Sequence, residues 1–163
     1  MAKHELAQMN VARLRAPLDS PQLADFVGAL DRINTLADCS PGFAWRLQDE
    51  SGNATALHPM GEDVIVNLTV WQDAKSLQAF VYRSDHAAVM KRRREWFEKM
   101  DFYLVLWWVP RGHRPSAEEG IARLDLLRSL GPSEDAFTFG KLFPAPDSGD
   151  AVAGSLDTPC PAS

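Results

Sequence analysis

The chain has 163 residues and a mass of 18.1 kDa, the size of one domain that can bury a core of its own. Hydrophobic residues make up 45% and charged residues 24%, which excludes a fully disordered or collagen-like chain. The formal charge of −5 argues against general nucleic-acid binding, because polyanion binders carry an excess of basic residues. Two cysteines cannot form a disulfide scaffold and no zinc-ligand spacing is present, so we expect no metal site.

The sequence shows no signal for export or membrane insertion. Its N-terminus lacks the apolar core of a signal peptide, and its longest apolar run, 103–109, is too short to span a bilayer as a helix. We therefore expect a cytoplasmic protein with reduced thiols and no membrane partner.

Hydrophobic periodicity and turn residues predict the elements and their order. In chain order they are a strand at 5–12, a helix from Ser20-Pro21 to Pro41-Gly42, a strand at 43–48, a turn at 49–53, a strand at 64–71, helices at 74–82 and from 84 to about 99, a strand at 102–109, and a helix from 116 to Gly131-Pro132.

This order, β-α-β-β-α-β with an extra C-terminal helix, predicts a ferredoxin-like α+β domain over residues 1–143. From right-handed crossovers we expect the first and third strands to be parallel neighbours at the centre of the sheet. Residues 144–163 are rich in Pro, Ala, Gly and Ser, and are expected to form a disordered tail.

The two central strands each alternate between an apolar set and a set that contains uncharged polar groups. One set of the third strand is wholly aliphatic, whereas the other includes Asn67, Thr69 and Trp71, and the first strand contributes Gln8 and Asn10. Because amides are costly to bury without partners, their convergence on one side of the sheet predicts a lined cavity. The alternative is that they hydrogen-bond to backbone or helix ends, or face water.

The all-aliphatic face of the sheet needs cover of its own. We expect the helices of one chain to bury only one face of so small a sheet, so a second subunit is the natural cover for the other. We therefore predict a homodimer formed by sheet-to-sheet packing.

The helix that begins near residue 84 contributes a second group of candidate site residues. At 3.6 residues per turn, one face presents His86, Val89, Met90, Arg93, Phe97 and Met100. His86 is interpreted either as a satisfied core histidine or as a general base or haem ligand. Arg93 belongs either to a solvated basic run or to a clamp for a phosphate or carboxylate.

Aromatic residues accompany both groups. Trp71 lies on the polar face of its strand, Trp96 flanks the His86 face, and Tyr82 precedes His86 by four residues. Trp107 and Trp108 are adjacent on a strand and must point to opposite faces. Core filling is the default role for each, and a pocket for a flat aromatic ligand is the alternative.

Motifs for other chemistries are missing from the sequence. The histidines show no spacing typical of a zinc or iron site, and there is neither a phosphate-binding loop nor a GxSxG motif. The sequence therefore does not support nucleotide-dependent or serine-hydrolase chemistry.

Five stretches together resemble an uncharacterised bacterial family of domains of unknown function, within the dimeric α+β barrel superfamily. They are Leu6-Ala-Gln-Met-Asn10, Asn67-Leu-Thr-Val-Trp71, Leu77-Gln-Ala-Phe-Val-Tyr-Arg-Ser-Asp-His86, Arg93-Arg-Glu-Trp-Phe97 and Leu106-Trp-Trp-Val-Pro110. The resemblance covers about residues 5–143. It implies a dimeric α+β barrel related to cofactor-free antibiotic-biosynthesis monooxygenases and to haem-degrading monooxygenases, in which the ligand lies between the sheet and the helices.

The resemblance also implies roles for single positions. Asn10 matches an active-site Asn on the first strand of those proteins, and Thr69-Val-Trp71 matches a motif at a strand end. His86 does not align with the haem-ligating His of the haem degraders, whose position falls nearer Lys91.

Taken with these features, the resemblance implies an enzyme of secondary metabolism that acts without a cofactor on a hydrophobic aromatic or polyketide-like small molecule, as a monooxygenase, cyclase or isomerase. His86 would be the general base, and Asn10 and Asn67 would hydrogen-bond a developing oxyanion. The substrate would be bound by Gln8, Thr69, Trp71, Tyr82, Met90, Arg93, Trp96, Phe97, Trp107 and Trp108, with Arg93 favouring an anion. Two alternatives stay open: a haem-binding or haem-modifying protein with His86 as axial ligand, and a non-catalytic ligand-binding or structural dimer.

Overall fold

The structure, a computed structural model, describes residues 2–48, 58–82, 84–100 and 102–146. The predicted turn at 49–53 and residues 147–163 of the predicted tail lie outside these ranges. Within them, no helix is long and apolar enough to cross a membrane.

The predicted order of elements is confirmed. The elements are β1 (His4–Arg13), a 3₁₀ turn (Pro21–Leu23), α1 (Ala24–Asp38), β2 (Phe43–Arg46), β3 (Val64–Trp71), α2 (Ala74–Val81), α3 (Ser84–Lys91), α4 (Arg93–Trp96), β4 (Leu104–Pro110) and α5 (Ala117–Leu130). The chain is therefore an α+β protein with the ferredoxin-like arrangement and an additional C-terminal helix.

The four strands form one sheet in the order β2-β3-β1-β4, so β1 and β3 are neighbours at its centre, as predicted. The prediction that they run parallel is wrong, because each neighbouring pair in this sheet is antiparallel. A helical crossover makes β1 parallel to β2, and the connection from β2 to β3 then reverses the chain. β3, which lies between β2 and β1 in the sheet, must therefore run antiparallel to β1.

The helix predicted from residue 84 to about residue 99 is interrupted. α3 ends at Lys91, and the single turn of α4 follows from Arg93 to Trp96. Phe97 is already extended, with φ −128° and ψ 146°, because its backbone forms a β-bridge with Leu14 beyond the end of β1. Pairing with β1 therefore ends the helix earlier than periodicity alone indicates.

The aliphatic face of the sheet is covered by α5 of the same chain. Leu124 and Leu127 are fully buried there with Met9 and Trp107. α5 lies close because residue 120 is glycine, where an added Cβ would sit 2.5 Å from the Met9 Sδ. The premise that this face needs a second subunit is therefore wrong, since the extra helix folds back over it. The homodimer stays a prediction without that support.

The opposite face of the sheet packs against the other helices through two separate apolar clusters. One joins Trp71 of β3 to Leu77 and Phe80 of α2, and the other joins Phe26 of α1 to Trp96 of α4. A cavity lies between these clusters, and members of both contribute to its walls.

Candidate functional site

The cavity lies between the polar face of the sheet and the helices α1 and α3. It has two adjoining lobes of about 160 and 90 Å³, whose walls share Asn10, Asn67 and His86. The larger lobe extends towards α4 and is also lined by Phe26, Leu30, Met90, Arg93, Phe97 and Tyr103. The smaller lobe extends towards α2 and is also lined by Gln8, Thr69, Trp71, Leu77, Phe80 and Phe139.

Asn10 and Asn67 are brought together by strand register. They are direct cross-strand partners on β1 and β3, and such partners place their Cβ atoms about 5 Å apart on the same face of a sheet. Neither side-chain amide is hydrogen-bonded to another of the described residues. Asn10 is half-buried and Asn67 is exposed, so Asn67 marks the open side of the cavity. Both amides are available to a ligand.

Gln8 and Thr69 form the next cross-strand pair along the same face, and here the two side chains bond to each other. Trp71 Nε1 donates to Thr69 Oγ1 over 2.9 Å, and Thr69 Oγ1 donates to Gln8 Oε1 over 2.8 Å. All three residues are buried. Gln8 and Thr69 therefore bond to other side chains of the sheet, and both line the smaller lobe.

The ring of His86 is held in one orientation. Its Nδ1 lies 3.0 Å from the Val81 carbonyl oxygen, and the ring packs 5.1 Å from Phe80 between centroids. Because a carbonyl can only accept, Nδ1 carries the proton and Nε2 of the neutral ring keeps its lone pair. Burial lowers the pKa of His86 from its usual 6.5, against a smaller opposing effect of the bond to Val81. His86 is therefore a neutral proton acceptor at pH 7.

Arg93 lies in the wall of the larger lobe over the face of Tyr103. Its guanidinium carbon is 4.2 Å from the ring centroid, within the range of a cation–π contact. The Nη1 atom is buried and has no hydrogen-bond partner among the described residues. The ring face thus positions the guanidinium without forming a hydrogen bond to any of its N–H groups.

Two polar residues of the cavity were missed from the sequence, Asn34 and Arg46. Arg46 binds Asp38 through both Nε and Nη2, at 2.8 and 3.2 Å. A signal for each was present: Asn34 interrupts the apolar stripe of α1, and Arg46 is paired with Thr69 and so shares the polar face of the sheet. For Tyr103, which lies just before β4, periodicity gave no signal.

Four of the residues predicted to bind substrate lie away from the cavity walls. Tyr82 is 42% exposed at the end of α2, and Trp96 is buried against Phe26 in the core beside α4. Trp107 faces α5, where its Nε1 donates to Glu119. Trp108 does lie on the helix-facing side of the sheet, but at its far end, where Nε1 donates to the Phe143 carbonyl. Trp71 therefore remains as the tryptophan that lines the cavity.

The volumes of the two lobes favour a ligand smaller than a haem. The bare Nε2 of His86 is suited to an axial ligand, but lobes of about 160 and 90 Å³ fall below the roughly 300–1,000 Å³ of pockets for drug-sized ligands, and a porphyrin is larger than such a ligand. Within the described part of the chain, no cluster of three or more His, Cys, Asp or Glu could hold a metal ion. The lobes suit a ligand of one or two aromatic rings.

Comparison with known proteins gives a family and a set of structural neighbours. The model of the family described as "Domain of unknown function (DUF3291)" matches residues 5–153. No curated protein matches the chain. The chain is similar in structure to the NE2512 protein of unknown function from Nitrosomonas europaea, with 15% identity, 70% of this chain and 95% of that chain covered, and a TM-score of 0.44.

It is also similar to a mutant of SnoaB, a cofactor-independent oxygenase from Streptomyces nogalater, with 14% identity, 71% of this chain and 100% of that chain covered, and a TM-score of 0.44. A third neighbour is Rv0793 from Mycobacterium tuberculosis, with 10% identity, 69% and 99% of the two chains covered, and a TM-score of 0.45. The oxygenase activity belongs to SnoaB.

Proposed function

We propose an activity for this chain, which belongs to the DUF3291 family of domains of unknown function, from the contents of its own cavity. The protein is a small-molecule enzyme that removes a proton from a phenolic, hydrophobic substrate and lets the resulting anion react with O₂, without a cofactor. The observation that carries the proposal is the shared lining of one cavity by a neutral, oriented His86 and by the amides of Asn10 and Asn67, which have no hydrogen-bond partner among the described residues.

His86 is the proposed general base. The hydrogen bond from Nδ1 to Val81 fixes the tautomer, so Nε2 is the nitrogen that accepts the phenolic proton. The same bond partly stabilises the imidazolium that forms, because the Nδ1–H donor becomes more acidic when the ring is charged. A side chain that is neutral at pH 7 and half-buried beside Phe80 suits this role.

Asn10 and Asn67 are the proposed oxyanion donors. An amide NH₂ that has no protein partner is free to donate to the phenolate oxygen, where charge is concentrated after proton transfer. Because the two residues face each other across β1 and β3, both can reach one oxygen atom. The sheet fixes their backbones, so little reorganisation is required when the charge appears.

The oxidation balances with O₂ as the sole co-reactant. The phenolate transfers an electron to O₂, and the radical pair combines to form a peroxide anion at a ring carbon in conjugation with the oxygen. This anion takes the proton back from His86 to become a hydroperoxide. Loss of water from this hydroperoxide gives the quinone. One atom of O₂ becomes the new carbonyl oxygen, the other leaves as water with the two hydrogens of the substrate, and 1-naphthol would give 1,4-naphthoquinone.

The walls of the cavity support an aromatic substrate. Phe80 and Trp71 lie at one end, and Phe26 and Phe97 lie at the other, so a flat ring system finds apolar partners along its length. Cyclisation or isomerisation would start from the same anion but would consume no O₂.

The test uses 1-naphthol as the probe, with O₂ uptake recorded by electrode and the product by absorbance. Under ¹⁸O₂ we expect one labelled oxygen in the naphthoquinone and uptake of one O₂ per product. His86→Gln, which keeps the side-chain volume but not the base, should lower kcat/KM by about 10²–10⁴-fold. His58→Gln, at an exposed histidine, is the matched control and should leave the rate unchanged. Binding of 1-naphthol without O₂ uptake would refute the oxygenase in favour of a ligand-binding protein.

The proposed enzyme is a homodimer in solution. Support comes from the superfamily resemblance alone, since α5 already covers the aliphatic face of the sheet. Sedimentation equilibrium at micromolar concentration should give twice the chain mass of 18.1 kDa, and a single-chain mass would refute the dimer.

A further inference from the structure

We propose that the substrate carries a carboxylate, which binds Arg93 in the larger lobe of the cavity. This inference rests on the proposed function, because it names the class of molecule that the same cavity accepts: an aromatic carboxylic acid with a phenolic hydroxyl. Arg93 is then the specificity-determining residue, and Tyr103 is the residue that positions it.

The first argument is the unmet hydrogen-bonding capacity of Arg93. Its Nη1 atom is buried with no partner among the described residues. A buried donor on a charged group that lacks a partner is costly in an apolar site, because it has lost its hydration without a replacement. Because this donor lies beside the cavity, an anionic oxygen of a bound ligand is the partner that we propose for it.

The second argument is the contact with Tyr103. The guanidinium carbon lies 4.2 Å above the ring centroid, which stabilises the cation through the π face. The N–H donors of a guanidinium lie in its plane, so a ring against its face leaves them pointing sideways and free. Tyr103 therefore orients Arg93 without competing for the ligand.

The third argument is the charge balance of the cavity walls. The described lining residues include two arginines and no Asp or Glu. Arg46 is neutralised by its two bonds to Asp38 from outside the walls. Near α4, the carboxylates of Asp25 and Glu95 are bound by Arg92, at 2.9 and 2.7 Å. Arg93 thus leaves one positive charge uncompensated within the described walls.

One uncompensated charge favours a carboxylate over a phosphate. A carboxylate carries a single negative charge and matches the planar fork of a guanidinium with two oxygens. A phosphomonoester carries nearly two charges at pH 7 and three oxygens, and would leave some of them unpaired here.

The positions of His86 and Arg93 set the shape of the ligand. They are seven residues apart, on either side of the break at Arg92, and both line the larger lobe. The ligand shape we propose for this lobe is a two-ring skeleton substituted at opposite ends, with its hydroxyl at His86 and its carboxylate at Arg93. Naphthalene fulfils this condition and fits between the aromatic walls.

The experiment measures binding by calorimetry under anaerobic conditions, with 6-hydroxy-2-naphthoate, 2-naphthol and 2-naphthyl phosphate as probes. We expect the wild-type protein to bind the carboxylate at least tenfold more tightly than 2-naphthol. Arg93→Gln should abolish this preference while 2-naphthol affinity stays within about twofold, which also shows that the variant is folded. Arg128→Gln removes an exposed positive charge from α5, on the other side of the sheet, and should change neither affinity.

Tyr103 is tested as a positioning residue by two variants. Tyr103→Phe retains the ring face and should keep the preference for the carboxylate, whereas Tyr103→Leu should reduce it severalfold with 2-naphthol affinity unchanged. A merely structural role would lower both affinities in both variants.

The outcomes separate this inference from the proposed function, since binding requires neither O₂ nor His86. A carboxylate preference that is absent, or that survives in Arg93→Gln, would overturn the inference and leave 1-naphthol oxidation untouched. Tighter binding of 2-naphthyl phosphate than of 6-hydroxy-2-naphthoate would also overturn it, by assigning Arg93 to a phosphate. Conversely, an Arg93-dependent preference in a protein that never consumes O₂ would sustain the inference and refute the oxygenase.

Discussion

Asn10 and Asn67 face each other across the two central strands, one step beyond a pair, Gln8 and Thr69, whose side chains bond internally. The difference between these neighbouring pairs divides the polar face of the sheet into two parts. At the Gln8 end the side chains bond through Thr69 to Trp71, and the Asn10 end leaves two amides for a ligand. His86 lines both lobes, so the open amides and the proposed base border the same space.

Removal of either open amide should slow the chemical step more than it weakens binding. If both donate to the phenolate oxygen, Asn10→Ala and Asn67→Ala each lower kcat by about 10²–10³-fold, as for the loss of one oxyanion donor. Because both act on one atom, the double variant should lose less than the product of the two effects. The measurement is steady-state O₂ uptake with 1-naphthol. Equal changes in KM with constant kcat would instead assign the amides to ground-state binding.

The pH dependence of the reaction follows from the lowered pKa of His86. A base that is neutral above its own pKa stays active through neutral pH, so kcat/KM should fall only when the pH drops below the usual 6.5 of histidine. His86→Gln should lose this acidic limb from its residual activity. An acidic limb of kcat/KM whose midpoint lies above pH 6.5 in the wild-type protein would contradict the lowered pKa of His86.

The same shift makes a prediction about stability. Because the folded state disfavours the charged ring, the unfolded state takes up more protons as the pH falls through 6.5. The contribution of His86 to the free energy of unfolding is therefore fully present above pH 6.5. It decreases as the pH falls below 6.5 and stops changing below the pKa of His86 in the folded state. Urea unfolding of wild type and His86→Gln at pH 7.5 and 5.5 measures this, and the wild-type protein should lose more free energy of unfolding between the two values.

The sequence predicted the fold well because its signals are local. The bounds of β3 match the alternation of 64–71, and the element order follows from turn and cap residues. The predicted direction of β3 relative to β1 was wrong because that direction depends on the path of the whole chain. The cover of the aliphatic face was missed for a similar reason: periodicity shows that α5 is a helix, and only the tertiary fold shows that Gly120 lets it settle on Met9.

The candidate site was predictable where strand alternation applied and not elsewhere. Strand alternation places Asn10 and Asn67 on the same polar face of the sheet, and in the structure they are direct cross-strand partners. Trp96 was a candidate because it flanks the His86 face, and Trp107 because it or Trp108 must point to the polar face of the sheet. Both are buried in the apolar core, which is the default role of a large aromatic side chain. Tyr103 contacts Arg93 across the segment that joins α4 to β4, at a spacing that neither the helical nor the strand period encodes.

Thr69 is the central link of the buried network, since its hydroxyl accepts from Trp71 and donates to Gln8. Thr69→Val is nearly isosteric and removes both bonds, leaving two buried polar groups without partners. We expect a loss of roughly 2–4 kcal/mol in the free energy of unfolding, from about 1–3 kcal/mol for each unpaired group with partial relaxation. Thr35→Val, at an exposed position of α1, should change it by less than about 0.5 kcal/mol. Equal urea midpoints for the two variants would contradict the network.

The approach of α5 to the sheet is tested by a pair of glycine substitutions within helices. In an open helical site, Gly→Ala stabilises by about 0.4–1 kcal/mol, and Gly28 of α1 is such a site, with nothing within 4 Å of an added Cβ. At Gly120 the added Cβ would lie 2.5 Å from the Met9 Sδ and 3.4 Å from Trp107, both fully buried. Overpacking of a dense core costs about 1–3 kcal/mol, which exceeds the helical gain. Thermal melts should therefore move upwards for Gly28→Ala and downwards for Gly120→Ala. A stabilised Gly120→Ala would mean that Met9 repacks freely and that α5 is not held against the sheet by close contact.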